Sequence, residues 1–505
     1  MSMADDAQEL LQKPATSDDF PTQTRAFSSY APLQTFVLPK GEDRHYAQQY
    51  ADMYFMRLAE LKPEVEKIAA EAWEGFEIGG EKARRVDRVL DVRQGELCWV
   101  VGTVYMEMPL KPNILDDISK DHWISAPPPR EKYISPNGED QIMLEDESGR
   151  LRLTGSFLAT QMLVTGCIIA AMGTENSDGV FEVAKIQVAD LAPQPDRLEQ
   201  PEAAEDDEQQ PKPSSKVAII SGLRISGSPS DALRLSLLTE YLTGELGSPS
   251  STQTASARIS RLIIAGDSLA NASPIPSRED TLAAKKSSKK FGYDASIYNP
   301  APTEHLDQFL SSLLPTLPIT LMPGASDPAN VAIPQQPLHP ALFPLSRAYA
   351  NPPGAQHDPT TQPGWFDSST NPFSATIAGY RYLGSGGQPV SDIYKYVPSS
   401  DRLEMMESML RWRCNAPTAP DTLWSYPFQD EDPLLIKECP HVFFAGNMPE
   451  FGTDVVEGYH GQTVRVVAVP GFRETGQVVL VDEETLEVEV VEVGVFGDAD
   501  GLGGE

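Results

Sequence analysis

The chain has 505 residues, 40% of them hydrophobic, with 73 acidic against 40 basic side chains and a formal net charge of −33. That length supports two or three domains with real cores, and that charge disfavours direct, high-affinity DNA binding unless basic groups are sharply segregated. No apolar run is long enough to span a bilayer, so no membrane partner is expected.

The opening MSMADDAQELLQKP is acidic and lacks the basic-then-apolar layout of a signal peptide. Cys98, Cys167, Cys414 and Cys439 are scattered without a C-x-x-C pair, which argues against a disulfide framework and a structural zinc site. An intracellular, reducing setting is expected.

In chain order, residues 1–40 are polar and read as flexible up to Phe36-Val37-Leu38. From Asp43 to Trp73, Tyr46, Tyr50, Tyr54, Leu58 and Leu61 recur at helical spacing, and Pro63 predicts a break or kink into two helices. Residues 97–191 change period to five apolar or alternating runs, with turn signals at Glu147-Ser148-Gly149 and Asn176-Ser177-Asp178-Gly179. Five strands with a long insertion (109–138) after the first suit a small barrel of the OB type. Its aromatics (Trp99, Tyr105, Phe157, Phe181) and cations (Arg150, Arg152, Lys185) are few, which favours protein over single-stranded nucleic acid as its ligand.

Pro193 to Ser215 is Pro-bounded and acidic, the composition of a disordered linker. Alternating α/β patterns follow. Strands are expected at 216–223, 261–269, 318–324, 376–384 and 441–447, helices at 230–246, 303–314 and 402–413, and closing antiparallel strands from Gln462 to Gly494. The tail from Phe496 is Gly-rich and reads as disordered.

A two-metal phosphoesterase places Asp, His and Asn at the carboxyl ends of such strands, holding two ions about 3.5–4 Å apart. Its pattern is D-x-H, then G-D-x-x-D, then G-N-H-D/E, with a later G-H-x-H. The first strand here ends Ser221-Gly222-Leu223, the second Gly266-Asp267-Ser268-Leu269-Ala270, and the third Gly324-Ala325-Ser326-Asp327. The G-H-x-H position falls at Gly446-Asn447-Met448-Pro449. Ser221, Leu223, Ala325 and Ser326 are poor or impossible ligands, and Asp267, Asp327 and Asn447 do not make up the set. The seven histidines (45, 122, 305, 339, 357, 441, 460) lie elsewhere. No catalytic residue, metal or cofactor is expected.

Long stretches carry a specific likeness: RHYAQQYADMYFMRL, MPLKPNILDDIS, PPPREKYISPNGEDQIMLEDESGRLRLTG, MPGASDPANVAIPQQPLHPALFP, NPFSATIAGYRYLGSGGQPVSDIYKY, APTAPDTLWSYPF and ECPHVFFAGNMPEFG. From about Phe36 to Gly503 the chain resembles the small, non-catalytic B-subunits of eukaryotic replicative DNA polymerases, in the polymerase δ form. The resemblance implies a five-stranded OB-type β-barrel plus a calcineurin-like phosphodiesterase domain, a β-sandwich flanked by helices, lacking metal ligands. It further implies a nuclear scaffold bridging the catalytic subunit's cysteine-rich C-terminal module to a third accessory subunit, the latter through the OB domain. DNA would then be contacted only indirectly or weakly. Asp267 departs from the family, which often has Asn there, and Gly354–Phe366 reads as an inserted surface loop.

The expected map is a flexible 1–40, a helical 41–90 packing on the phosphodiesterase-like domain, OB at 91–192, linker at 193–215, phosphodiesterase-like at 216–495 and tail at 496–505. Leu338, Leu342 and Phe343, set among prolines, are candidate partner-binding residues, with packing against the chain's own sheet as the alternative. Lys285–Lys290 reads as an import signal, a DNA-facing patch or a solvated loop. The rival functions are a divergent active metallophosphoesterase and an OB-type single-strand binder.

Overall fold

A computed structural model describes residues 23–44, 51–112, 130–198, 214–246, 249–270, 299–351 and 364–494. Tyr46, Tyr50, the Lys285–Lys290 cluster, residues 199–213 of the expected linker and the 496–505 tail lie outside them.

The expected flexible N-terminus is built into the fold from its first described residues. Arg25 donates to the carbonyls of Leu242, Ser256 and Ile259 at 2.7, 2.8 and 2.9 Å. Strand β1 (Tyr30–Pro32) pairs antiparallel with Phe373–Ile377, and Phe36 and Leu38 are buried. Composition hides this because the anchors are one guanidinium, backbone pairing and the separated core residues Tyr30, Phe36 and Leu38, not a periodic apolar run.

Helix α1 (Ala51–Trp73) is continuous with Pro63 inside it, not the expected two helices. Leu58 and Leu61 before the proline, and Val65, Ala69 and Trp73 after it, enter one core with Leu97, Trp99, Ile168 and Met172. That shared burial outweighs the roughly 3 kcal/mol cost of an interior proline. The helix lies on the barrel wall and also meets the second domain, where Cys414 and Leu435 join the same core and Arg57 reaches Asp432 at 2.6 Å. After it the chain turns into a small hairpin (Glu77–Ile78 with Glu81–Lys82) and the strand Arg84–Arg85, not further helix.

The five expected barrel strands form: β2 (Leu97–Glu107), β3 (Gln141–Glu145), β4 (Arg150–Thr154), β5 (Ile168–Glu175) and β6 (Val180–Gln187). They order as β2-β3-β4-β6-β5, and β5 pairs back to β2 to close the barrel. In β4, Leu151 and Leu153 point inward while Arg150 and Arg152 are exposed, the two-residue period of a wall with one wet face.

Beyond the barrel, residues 193–198 are not a free linker. The Pro193 carbonyl accepts from the Cys439 N–H at 2.9 Å, Gln194 donates to the Thr463 carbonyl at 2.7 Å, and the Leu198 N–H donates to Gly379 at 3.0 Å. Polar and Pro-rich composition is compatible with this because backbone groups make the bonds.

The second domain contains β7 (Lys216–Ile220), α2 (Ala232–Thr243), α3 (Pro249–Ala257), β8 (Ile259–Ala265), α4 (Ala301–Leu313), β9 (Ile319–Met322) and β10 (Phe366–Ser368). It continues through β11 (Phe373–Ile377), β12 (Tyr380–Ser385), α5 (Gln388–Tyr396), α6 (Arg402–Arg411) and β13 (Val442–Met448). It ends with β14 (Gly452–Glu457), β15 (Thr463–Pro470), β16 (Gln477–Asp482) and β17 (Val488–Glu492). One six-stranded sheet runs β10-β9-β8-β7-β16-β17 and the other β1-β11-β12-β13-β15-β14.

Val217, Ile219, Ile263 and Met322 of the first sheet meet Phe373, Tyr382, Phe444 and Val467 of the second in a shared core. The alternate residues Ala218, Ile220, Leu262 and Leu321 face α2 and α4, so the parallel strands are apolar on both faces. The outer face of the second sheet packs Phe443, Val464 and Val466 against Met405 and Met409 of α6.

Three expectations are corrected here. The single strand at 376–384 is a hairpin, β11 and β12, turned at Ala378 and Gly379 with φ of 50° and 81°. The strand from Thr463 runs parallel to β13, and the closing antiparallel pairs are β14 with β15 and β16 with β17. Phe366 belongs to β10, not to an inserted loop.

Candidate functional site

The carboxyl ends of β7, β8 and β9 from one sheet and of β12 and β13 from the other converge on one crease. The Gly222 N–H donates to the Gly266 carbonyl at 3.0 Å, and the Asn447 N–H donates to the Ser221 hydroxyl at 2.8 Å. The Asn447 side-chain amide donates to the Gly386 carbonyl at 2.9 Å, and the Ser326 N–H donates to the Asp267 carboxylate at 3.0 Å. The loops touch closely: a Cβ on Gly324 would stand 2.3 Å from the Asp267 carboxylate. Only glycine permits that approach.

Of the positions singled out in the sequence, Ser221, Asp267, Ser326, Asp327 and Asn447 come together here. Ser221 is fully buried, its hydroxyl 3.0 Å from the Pro470 carbonyl and 3.2 Å from that of Val469. The Ser326 hydroxyl donates to the Leu269 carbonyl. The buried Asp327 carboxylate accepts from the backbone N–H groups of Gly324, Leu269 and Ser268 at 2.8, 2.9 and 3.2 Å. Burial pushes its carboxyl up to about 7, against those three donors, which favour the charged form. Leu223 turns away into the core under α2, and Ala325 is exposed with no donor atom.

Sequence reasoning missed a set of neutral amides beside these residues. The Asn371 amide donates to the Gln335 and Gln388 side-chain oxygens at 2.8 and 3.0 Å, and Gln388 donates to Gln335 at 2.9 Å. The Asn371 oxygen accepts from the Gly386 N–H at 2.9 Å, and Gln335 donates to the Gly324 carbonyl at 3.1 Å. The signal available was Pro334-Gln335-Gln336-Pro337, two amides inside a segment otherwise read as apolar. Arg224 covers the rim, 2.9 Å from Glu474 and 3.9 Å from Asp267.

Arg224, Asp267 and Asn447 all sit at positive φ (45°, 54° and 55°), a conformation costing non-glycine residues roughly 1–3 kcal/mol each. Backbone strain of this kind gathers where a fold once held or still holds a site. Among the described residues no three His, Cys, Asp or Glu side chains form a metal-ligand group. His441 stands at the opposite end of β13, where its Nδ1 accepts from the Arg381 N–H at 3.0 Å. The Ser221 and Ser326 hydroxyls are spent on carbonyls and the Asn371, Gln335 and Gln388 amides on one another. The Asn447 Oδ1 is buried without a hydrogen-bond partner, and one such neutral oxygen beside the Asp267 and Asp327 carboxylates does not make the ligand set of two divalent ions.

The candidate partner-binding residues are corrected. Phe343 is fully buried and Leu338 1% exposed, both in the core beneath α4, with Leu342 packed against it. The Phe343 and Phe366 rings meet edge to face at 5.5 Å. The proline-rich segment wraps the chain's own sheet and presents neither Leu338 nor Phe343 to a partner.

Residues 49–186, from α1 through the barrel, match the family described as DNA polymerase delta subunit OB-fold domain. Residues 217–453 match the DNA polymerase alpha/epsilon B-subunit family. The DNA polymerase delta small subunit of Arabidopsis thaliana is 35% identical over 446 residues, covering 88% of this chain and 91% of the plant protein. That of Saccharomyces cerevisiae is 33% identical over 487 residues, covering 90% and 91%. The chain belongs to the DNA polymerase δ small-subunit family. The small subunit of Oryza sativa extends the likeness at 34% identity over 475 residues, 94% of this chain and 100% of the rice protein. Every crease residue, from Ser221 to Asn447, falls within the stretch that matches the polymerase B-subunit family.

Proposed function

We propose that this chain is a non-catalytic accessory subunit of DNA polymerase δ, acting in the nucleus in replication and repair synthesis. It holds the cysteine-rich C-terminal module of the catalytic subunit and joins it, through the barrel domain, to a third accessory subunit. DNA is reached through the catalytic subunit.

The observation that carries this reading is the state of the strand-end crease. On a scaffold read as calcineurin-like, each polar side chain at a former ligand position is bonded to backbone, and Leu223 has left for the core. Such a crease positions loops and offers no cluster of charged ligands to activate water. The single-strand-binding rival is weakened at one of the three barrel cations, since Arg150 is paired with Glu145 and stacked on Tyr105.

The test is co-elution of the full chain with the catalytic subunit's C-terminal region at about 0.5 M salt, where surface charges are screened and buried apolar area is not. Failure to associate at every ionic strength overturns the scaffold reading. Hydrolysis of an aryl phosphate or bis-aryl phosphodiester in excess manganese, following the protein peak and lost in Asp267→Ala, overturns the non-catalytic one.

A further inference from the structure

The two sheets of the second domain have four edges, and three are guarded. β1 is three residues long and ends in Pro32, which has no N–H to offer. β10 is also three residues long and lies beside the Ser346–Tyr349 turn. β14 is longer, but the Asp454 carboxylate accepts from the Val455 N–H at 2.7 Å. The Gly458 N–H donates to Gln462 at 2.9 Å in register with the β14–β15 ladder, so alternation makes Val455 an outward residue. Its free donor is thus capped by its own chain.

Among the described residues β17 has no proline, no carboxylate on an outward N–H and no turn packed along it, and its only guard is charge of one sign. Its ladder with β16 is fixed at both ends by Asp482 N–H to Glu487 carbonyl at 2.9 Å and Val493 N–H to Gly476 carbonyl at 2.8 Å. Both pairs obey the register that sets Leu480 opposite Glu489. By alternation Glu487, Glu489, Val491 and Val493 bond inward, and Val488, Val490 and Glu492 turn their N–H and C=O groups to the open side. Among the described residues no side chain hydrogen-bonds to those outward groups. Val488, Val490 and Val491 are half-buried, so each leaves apolar surface at the edge. An apolar edge with no further guard is a template for another strand.

We propose that β17 accepts an extended, basic segment of another protein as an added strand of the sheet. Charge selects this occupant. Glu484, Glu487, Glu489 and Glu492 are exposed along the edge, and Lys216 answers only Glu489. A second copy of β17 would bring like charges together within a Debye length of about 10 Å, whereas lysine or arginine alternating with aliphatic residues matches both the glutamates and the valines.

The probe is a labelled Lys-Val-Lys-Val-Lys-Val-Lys peptide, titrated into the full chain by fluorescence anisotropy and compared with the same peptide N-methylated at alternate residues. Saturable binding is expected, weakened at least about tenfold by N-methylation and by Val490→Pro, and slower hydrogen exchange over 486–494 in the complex. Val490→Pro removes an outward N–H and leaves the β16 ladder bonds in place. If that variant melts early, the N-methylated peptide on the unaltered chain decides alone. Equal binding of both peptides means charge adhesion only and overturns the proposal, as does absence of binding. Self-association abolished by Val490→Pro, or binding seen only after truncation beyond Gly494, also overturns it by naming a second copy or the chain's own tail as the occupant.

Discussion

Ser221 ends a parallel strand, at the position that the two-metal phosphoesterase sequence pattern gives to Asp, and its hydroxyl faces the carbonyls of Val469 and Pro470. Ser221→Asp should therefore not restore a ligand; it would set a buried negative charge against two oxygen dipoles. A loss of about 3 kcal/mol or more is expected in urea unfolding, with no manganese-dependent rise in Tm. Asp327 makes a second prediction at this scale. Its folded-state carboxyl titrates near 7, above the unfolded value of 3.8, because burial penalises the anion. A raised folded pKa means the native state binds the proton more tightly. Its contribution is thus fully present below about pH 4 and is lost as pH rises through about 7. The stability difference between the unaltered chain and Asp327→Asn should decline across that window and level off above it, as followed by denaturation at a series of pH values. The missing histidines and the Ser and Leu substitutions were legible residue by residue. The Asn371, Gln335 and Gln388 amides were not, because they arrive from two loops and the first residue of α5, and only the fold makes them neighbours.

At the scale of elements, the parallel strands announced themselves because burial on both faces demands unbroken apolar runs such as Val217–Ile220 and Leu262–Ala265. Edge elements did not. β14 buries only Val456, and β1 is anchored by backbone pairing and the single core residue Tyr30, too little to make a pattern. Helix α5 buries Val390, Ile393 and Tyr396 at helical spacing, yet Gly386-Gly387 and Pro389 at its start masked the pattern. Pro63 misled in the opposite sense, since its local cost is real but smaller than the burial on either side of it. The proline-rich segment yields the sharpest test of element placement. Phe343 fills the core beneath α4, so Phe343→Ala should cost about 3–5 kcal/mol and Phe343→Asp should unfold the second domain. Calorimetry reads both. A Phe343→Asp variant that keeps the native melting profile but loses a partner would return this residue to an outer face.

For the whole molecule, the question is what makes barrel and sandwich one body. Arg57 leaves α1 and is 1% exposed, with its Nε 2.6 Å from the Asp432 carboxylate and its Nη1 2.6 Å from the Ala419 carbonyl. Burial pulls the guanidinium's pKa down, but the Asp432 charge outweighs it and holds the group above its ordinary value. A second strut comes from Lys132, whose ammonium donates to the carbonyls of Tyr394, Val397 and Ser399 at the carboxyl end of α5. There it also meets the negative end of the helix dipole. Breaking the Arg57 pair from one side leaves a buried charge without its partner, so Arg57→Ala should cost about 3–5 kcal/mol. Because α1 belongs to the barrel core and Asp432 to the sandwich, the loss falls on the junction between them. Calorimetry should then resolve two transitions where the unaltered chain gives one. Replacing both partners, as Arg57→Met with Asp432→Leu, removes the charges together and should recover most of that stability. The recovery distinguishes a charge left stranded from a cavity left unfilled: if the double variant is as unstable as Arg57→Ala, packing of the long side chain, and not the ion pair, is what Arg57 adds to the apolar core that barrel and sandwich share.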